Sequence, residues 1–229
     1  MEIYGLEKLS LVDYSNYACA VIFTGGCNFR CPFCHNSGLV DKEVKPLSNM
    51  EVLEFLEKRK KLLDAVCISG GEPTLQSDLI DFIKKVKSLG YKIKLDTNGT
   101  NPIMLMEIIK ENLVDYIAMD IKNSFGKYPL TIGLNALNLD NVKKSIEIIK
   151  ESNIDYEFRT TLVKEFHEKE DILEISKILT GSKRLYLQKF VSNENCINDK
   201  LTAIDKETAD EWRKLLTNNI ENVFLRGYV

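Results

Sequence analysis

The sequence has no excess of basic residues: 31 Lys and Arg stand against 34 Asp and Glu, a formal net charge of −3 over 229 residues. Bulk nucleic-acid binding needs a basic footprint, so this balance argues against it. No run approaches the ~20 consecutive apolar residues that a membrane-spanning helix needs. The opening residues, Met1-Glu2-Ile3-Tyr4-Gly5, lack the basic-then-apolar pattern of a secretory signal. The expectation is a cytoplasmic protein in a reducing compartment. No linker, low-complexity tract or internal repeat interrupts the chain, so residues 1–229 are expected to form one domain. What is present is ordinary globular material, 44% hydrophobic and 28% charged, ample for a buried core without staples.

Six cysteines in such a chain need a reason. Cys27, Cys31 and Cys34 crowd into one short segment, whereas Cys19, Cys67 and Cys196 are scattered. A secreted disulfide framework would be shorter and more evenly spaced. The crowded triplet reads as metal binding or thiol redox chemistry. Cys19 and Cys67 lie in apolar strand-like runs and read as buried small hydrophobes. Cys196, in the polar stretch 192–200, reads as an exposed thiol without a partner. His167, among charges, reads as a solvated loop residue.

The chain alternates β-type runs with helical patterns. Strand-like runs fall at Ala18–Phe23, Ala65–Ser69, Tyr91–Thr97, Tyr116–Ile121, Tyr156–Val163 and Arg184–Phe190. Helices are expected between them. Ser48 and Glu51 make a capping box ahead of one. Gly90 stops another at Leu79–Leu89. Asn101-Pro102 opens a third at Ile103–Glu111. Three more fall at Asp140–Ser152, Lys169–Leu179 and Asp205–Thr217. Ile3 to Asp13 and Asn222–Leu225 are candidate extra strands. Six successive β-then-α units imply an α/β fold with a parallel sheet and right-handed crossovers. Periodicity alone leaves a partial barrel and a doubly wound sheet both open. The Asn123–Leu137 connection, with Gly126, Pro129 and Gly133, is the expected mobile functional loop.

Each expected strand ends in polar residues. The first leads into Cys27, Cys31 and Cys34, and the second into Gly70-Gly71-Glu72-Pro73. The third ends in Asp96-Thr97, the fourth in Asp120-Ile121-Lys122, the fifth in Arg159-Thr160-Thr161 and the sixth in Gln188. In parallel β/α folds the carboxyl ends of the strands share one rim, and sites are built there. Three thiolates from one loop can hold three irons of a cubane and leave the fourth open for a ligand. Two other readings stand beside this one. The triplet with His35 could bind structural zinc, although adjacent Cys34 and His35 point apart and no second ligand pair follows. Cys31-Pro32-Phe33-Cys34 could be a thiol–disulfide redox pair, although Cys27 is then surplus.

The order Cys27-x-x-x-Cys31-x-x-Cys34, with Phe33 inside it and Gly-Gly-Glu-Pro after it, resembles the radical S-adenosylmethionine superfamily. The words Gly26-Cys27-Asn28-Phe29-Arg30-Cys31-Pro32-Phe33-Cys34-His35-Asn36, Asp96-Thr97-Asn98-Gly99 and Met119-Asp120-Ile121-Lys122 resemble the glycyl-radical-enzyme activases. The likeness is strongest to the activating proteins of anaerobic ribonucleoside-triphosphate reductase, with the pyruvate formate-lyase activases next. This resemblance implies a partial (β/α)6 barrel, open on one side. It implies that Cys27, Cys31 and Cys34 ligate a [4Fe-4S] cluster whose unique iron chelates S-adenosylmethionine. Gly70, Gly71 and Glu72 would meet the amino group of that ligand, and Lys122 its carboxylate. Asp96, Thr97 and Asp120 would line the methionine side, where the matching acids of formate-lyase activases also hold a monovalent cation. Arg159 and Thr161 would face the ribose and adenine, with Phe33 bordering the adenine. The implied partners are a glycyl-radical enzyme as protein substrate and a flavodoxin or ferredoxin-type electron donor, with no nucleic acid and no membrane.

Departures from the resemblance are also legible. Ser15 stands where the activases usually have a proline. No histidine lies near the sixth strand, which leaves Gln188 as the candidate for the ribose. Only Cys67 falls between the triplet and Gly-Gly-Glu, so a second cluster is not expected.

Overall fold

The computed structural model describes residues 1–40 and 45–228. Eight strands form one sheet in sequence order: β1 (Ile3–Ser10), β2 (Cys19–Thr24), β3 (Ala65–Gly70), β4 (Lys92–Thr97), β5 (Tyr116–Asp120), β6 (Asp155–Leu162), β7 (Arg184–Lys189) and β8 (Asn222–Arg226). β1 pairs antiparallel with β2, and every later pairing is parallel. The first and last strands are not neighbours, so the sheet stays open. Six crossovers join the seven parallel strands, as the six expected units require. Both candidate extra strands form, one at each edge.

The crossovers carry α1 (Ser37–Val40), α2 (Asn49–Arg59), α3 (Leu79–Ser88), α4 (Pro102–Lys110), α5 (Tyr128–Thr131), α6 (Leu139–Glu151), α7 (Lys169–Ile178) and α8 (Lys206–Leu216). Local chemistry sets their starts. Ser48 and Glu51 exchange the two bonds of a capping box at α2, and Asn101 accepts from Met104 N at α4. The longer helices each bury an apolar stripe; on α3 it is Leu79, Phe82, Ile83 and Val86, all buried. Burying such a side chain contributes roughly 1.5–3 kcal/mol.

Strand side chains alternate between two faces. Val66 and Ile68 of β3 join the large core under the helices, whereas Ala65 and Cys67 point inward with Tyr14, Cys19 and Val21. Further toward the carboxyl ends the inner face turns polar, with Lys94 and Asp96 on β4, Asp120 on β5 and Arg159 on β6. The fold therefore brings charge to one rim.

Three expectations are corrected. The connection 123–137 is not a loose loop: it contains α5, and Asn123, Tyr128 and Ile132 are fully buried. Gly126 and Gly133 lie in turns on either side of α5, and Pro129 sits in its first turn. Cys196 is buried at 8% exposure, because its polar stretch folds back onto the cysteine loop through Asn198 N and Pro32 O. His167 is buried at 2% exposure and fully hydrogen-bonded.

Candidate functional site

The loop after β2 is held from several sides before any ligand is considered. Gly26 N donates to Leu39 O, Arg30 N to Ile132 O, and Cys34 N to Cys31 O. Arg30 Nη1 donates to the carbonyls of Cys27 and Phe29. His35 Nε2 lies 2.6 Å from Val191 O, and Ser37 Oγ donates to Asn195 O. The segment after β7 thus straps the cysteine loop. Asn98, at the end of β4, donates to Asn28 Oδ1 at 2.8 Å and brings its amide within 4.0 Å of Cys27 Sγ. Asn28 and Asn98 stand within the motifs named above, but their contact and this strap were not legible, because each partner lies far along the chain.

The glycines act first on the protein itself. Gly70 has φ +115°, and a Cβ there would stand 2.3 Å from Thr24 N. A Cβ on Gly71 would stand 2.0 Å from Gly26 O. Their bareness lets the β3 loop seat against the cysteine loop. Glu72 is likewise committed. Its Oε1 accepts from Thr74 N, Thr74 Oγ1 and Thr97 Oγ1, and its Oε2 accepts from Asn98 N at 2.6 Å. Burial pushes this carboxyl above its ordinary value, and the four donors pull the other way. Glu72 ties the end of β3 to the end of β4.

Below the loop runs a chain of alternating charge. Lys94 Nζ meets Asp96 Oδ1 at 2.7 Å, and Arg159 Nη1 meets Asp96 Oδ2 at 3.1 Å. Arg159 Nε meets Asp120 Oδ1 at 2.8 Å, and Lys122 Nζ meets Asp120 Oδ2 at 2.9 Å. Burial alone would push the Asp96 carboxyl up, but Arg159 and Lys94 hold it well below the usual carboxylate range. Asp120 is depressed in the same way by Arg159 and Lys122. Burial works against the Lys122 ammonium, yet Asp120 and Cys31 hold it above its ordinary value. The ammonium also lies 5.9 Å from the ring centroid of Phe33. His167 Nδ1 accepts from Val163 N, which leaves the proton on Nε2 to donate to Lys122 O at 3.0 Å.

All thirteen residues singled out from the sequence line one cavity of about 380 Å³, and Gln188 joins them. That volume suits a small molecule. The thiols fit a cluster chemically. Burial pushes the Cys31 thiol up to about 12 and the Cys27 thiol to about 11, with Lys122 lowering the former. Such thiols stay protonated until a metal displaces the proton. Among the described residues, no three His, Cys, Asp or Glu side chains gather closely enough to share one metal ion, as a structural zinc site would need. A cubane spreads its thiolates over separate irons. Among the described residues, no helix is long and apolar enough to cross a membrane.

Comparison with known proteins agrees with this geometry. Residues 21–177 match the Radical SAM superfamily. A Methanocaldococcus jannaschii protein named "putative glycyl-radical enzyme activating enzyme" is 34% identical over 98% of this chain and 95% of its own length. The pyruvate formate-lyase-activating enzyme of Clostridium pasteurianum is 32% identical over 64% of this chain and 63% of its own. Among solved structures, Streptococcus suis SuiB bound to S-adenosylmethionine superposes with a TM-score of 0.72 at 18% identity. That match covers 90% of this chain and 50% of SuiB, and it speaks to the fold alone. The superfamily works with a [4Fe-4S] cluster and S-adenosylmethionine, which are therefore this enzyme's cofactors. The chain belongs to the radical S-adenosylmethionine superfamily and, within it, to the family of the glycyl-radical enzyme activating enzymes.

Proposed function

We propose that this protein installs a glycyl radical on a partner enzyme, and that the partner is an anaerobic ribonucleoside-triphosphate reductase. It would work in the cytoplasm as one domain spanning 1–229, reduced by a flavodoxin or ferredoxin-type donor. The observation that carries the reading is that three thiols of one loop and the Lys122 ammonium open onto one cavity at the rim of an unclosed sheet. The gap between β1 and β8 offers a large substrate a way in. The entrance would be edged by the α5 segment and by the chain end at 222–229, of which Val229 lies outside the described residues.

The residues divide the work. Cys27, Cys31 and Cys34 would hold the cluster. Lys122 would neutralise the carboxylate of S-adenosylmethionine by a charge-assisted bond. Gly70, Gly71 and Glu72 would shape the wall at its amino group. Asp96, Thr97 and Asp120 would line the methionine side, Arg159 and Thr161 the ribose end, and Phe33 the adenine. When bound, the cluster and S-adenosylmethionine supply a reductive C–S cleavage that gives methionine and a 5′-deoxyadenosyl radical. The side chains of the charge ladder are already paired before a ligand enters, which is the preorganisation such a site uses.

The test is anaerobic reconstitution with iron and sulfide, then addition of a low-potential reductant and S-adenosylmethionine. Expected products are 5′-deoxyadenosine and, with the reductase present, a glycyl-radical doublet in the electron paramagnetic resonance spectrum. A fully loaded protein that makes neither, with the partner present, would sink the reading. A second reading, activation of a formate-lyase-type enzyme, is favoured by the likeness to the C. pasteurianum enzyme. Exchanging the partner protein in the same assay separates the two.

A further inference from the structure

Arg159 occupies the gap between the two acids at which the resemblance implies a monovalent cation. Its Nη1 takes Asp96 Oδ2 and its Nε takes Asp120 Oδ1. The two remaining carboxylate oxygens are also taken, Asp96 Oδ1 by Lys94 and Asp120 Oδ2 by Lys122. Ser69 Oγ adds a further donor to Asp96 Oδ2 at 3.0 Å. A hard cation needs oxygen lone pairs turned toward it and a surplus of negative charge. Here every oxygen of both acids already faces a hydrogen-bond donor.

The charge count points the same way. Lys94, Arg159 and Lys122 bring three positive charges to the two negative charges of Asp96 and Asp120. The remainder is one positive charge, which the carboxylate of S-adenosylmethionine would balance. The other acids on the cavity wall make their hydrogen bonds outside this ladder. Glu72 is turned onto Thr74, Thr97 and Asn98, and Asp13 accepts from Ser10 Oγ. The side chain of Arg159 is only 14% exposed and lies inside the sheet, so water does not compete well for its bonds.

We propose that the guanidinium of Arg159 stands where a monovalent cation would otherwise bridge Asp96 and Asp120, so that this enzyme binds S-adenosylmethionine without one. Beside its place at the ribose end, Arg159 then sets both carboxylates and, through Asp120, the direction of Lys122. This rests on the reading of the cavity as the S-adenosylmethionine site.

The experiment uses the anaerobically reconstituted holoenzyme with K⁺, Na⁺ or tetramethylammonium as the sole monovalent cation. S-adenosylmethionine affinity is measured by equilibrium dialysis, and cation binding by the sodium NMR line width with K⁺ as competitor. The wild type should bind S-adenosylmethionine within about twofold in all three salts and show no K⁺-displaceable sodium broadening. Arg159→Met empties the gap and should bind S-adenosylmethionine more tightly in K⁺ than in tetramethylammonium. A wild-type affinity that falls about tenfold or more in tetramethylammonium would overturn the proposal, as would K⁺-displaceable broadening of the wild type. The wild-type measurements decide the matter even if Arg159→Met does not fold. Failure of the functional reading would look different: no S-adenosylmethionine bound in any salt, with the sodium measurement still decisive.

Discussion

His167 Nε2 donates to the backbone carbonyl of Lys122 at 3.0 Å, across 45 residues of chain. The bond fixes the backbone just beyond β5, from which Lys122 reaches the cavity. Burial pushes the imidazole below its ordinary value of 6.5, although the carbonyls of Lys122 and Val163 pull upward. The folded state therefore binds fewer protons here than the unfolded state as pH falls past about 6.5. The stability this group contributes is complete above that pH and is lost toward the depressed folded value. Thermal unfolding of the holoenzyme between about pH 7.5 and 5.5 should show a shallower acid loss in His167→Gln than in the wild type. Equal slopes would mean that His167 does not titrate differently on folding.

Glu72 gives the second expectation. Two backbone amides, of Thr74 and Asn98, each need one of its oxygens, and neither can rotate away. The amide of Glu72→Gln can accept from only one of them. The variant should lose about 1–3 kcal/mol of stability, the cost of a buried donor left unpaired. Denaturant unfolding measures it. An unchanged midpoint would show that Glu72 is not the tie between β3 and β4.

The strand ends were legible because the cues are local: a β-type run, continuous or alternating, then polar residues, six times over. The cysteine triplet and Gly-Gly-Glu-Pro marked the rim for the same reason. What lay hidden depends on register. β5 pairs Asp120 with Arg159 on β6, and no spacing in the sequence announces that the guanidinium bridges to Asp96 on β4 as well. That Glu72 ties two strand ends was hidden, because its partners, Thr97 and Asn98, meet it only once β3 and β4 align. His167 and Cys196 read as exposed because their neighbours in sequence are polar. Both are buried by distant segments, the β5 exit in one case and the cysteine loop in the other.

Lys122 carries the third expectation. Lys122→Ala removes the ammonium proposed to face the carboxylate of S-adenosylmethionine, and it also uncovers Asp120 Oδ2. A bare carboxylate then faces another. Binding should weaken by about 1–3 kcal/mol, roughly 5- to 150-fold, toward the upper end because of that repulsion. Equilibrium dialysis of the loaded protein reads the change. An unaltered affinity would remove Lys122 from the ligand.

Cys31 is the most deeply placed thiol of the triplet, at 7% exposure. Cys31→Ala deletes one of three proposed ligands while leaving a small apolar side chain in a buried position. The fold should persist by circular dichroism, whereas cubane iron and 5′-deoxyadenosine formation should both vanish. Retained cleavage activity would sink the cluster assignment.

Gly71 tests whether the cysteine loop depends on its neighbour as well as on its thiols. In Gly71→Ala the new Cβ would stand 2.0 Å from Gly26 O and 2.6 Å from Gly26 C, contacts that only a backbone shift can relieve. Gly26 adjoins Cys27, so the shift must travel into the first ligand position. Glu72 N, which donates to Gly26 O at 2.9 Å, would lose that bond as well. The loss should appear in metal loading, because the displaced Gly26 adjoins the first ligand position. Iron bound per chain should fall well below that of the wild type although all three thiols remain, and unfolding should shift by about 1–3 kcal/mol, as expected for overpacking. Full iron with unchanged stability would show that the two loops can part without disturbing the cysteines.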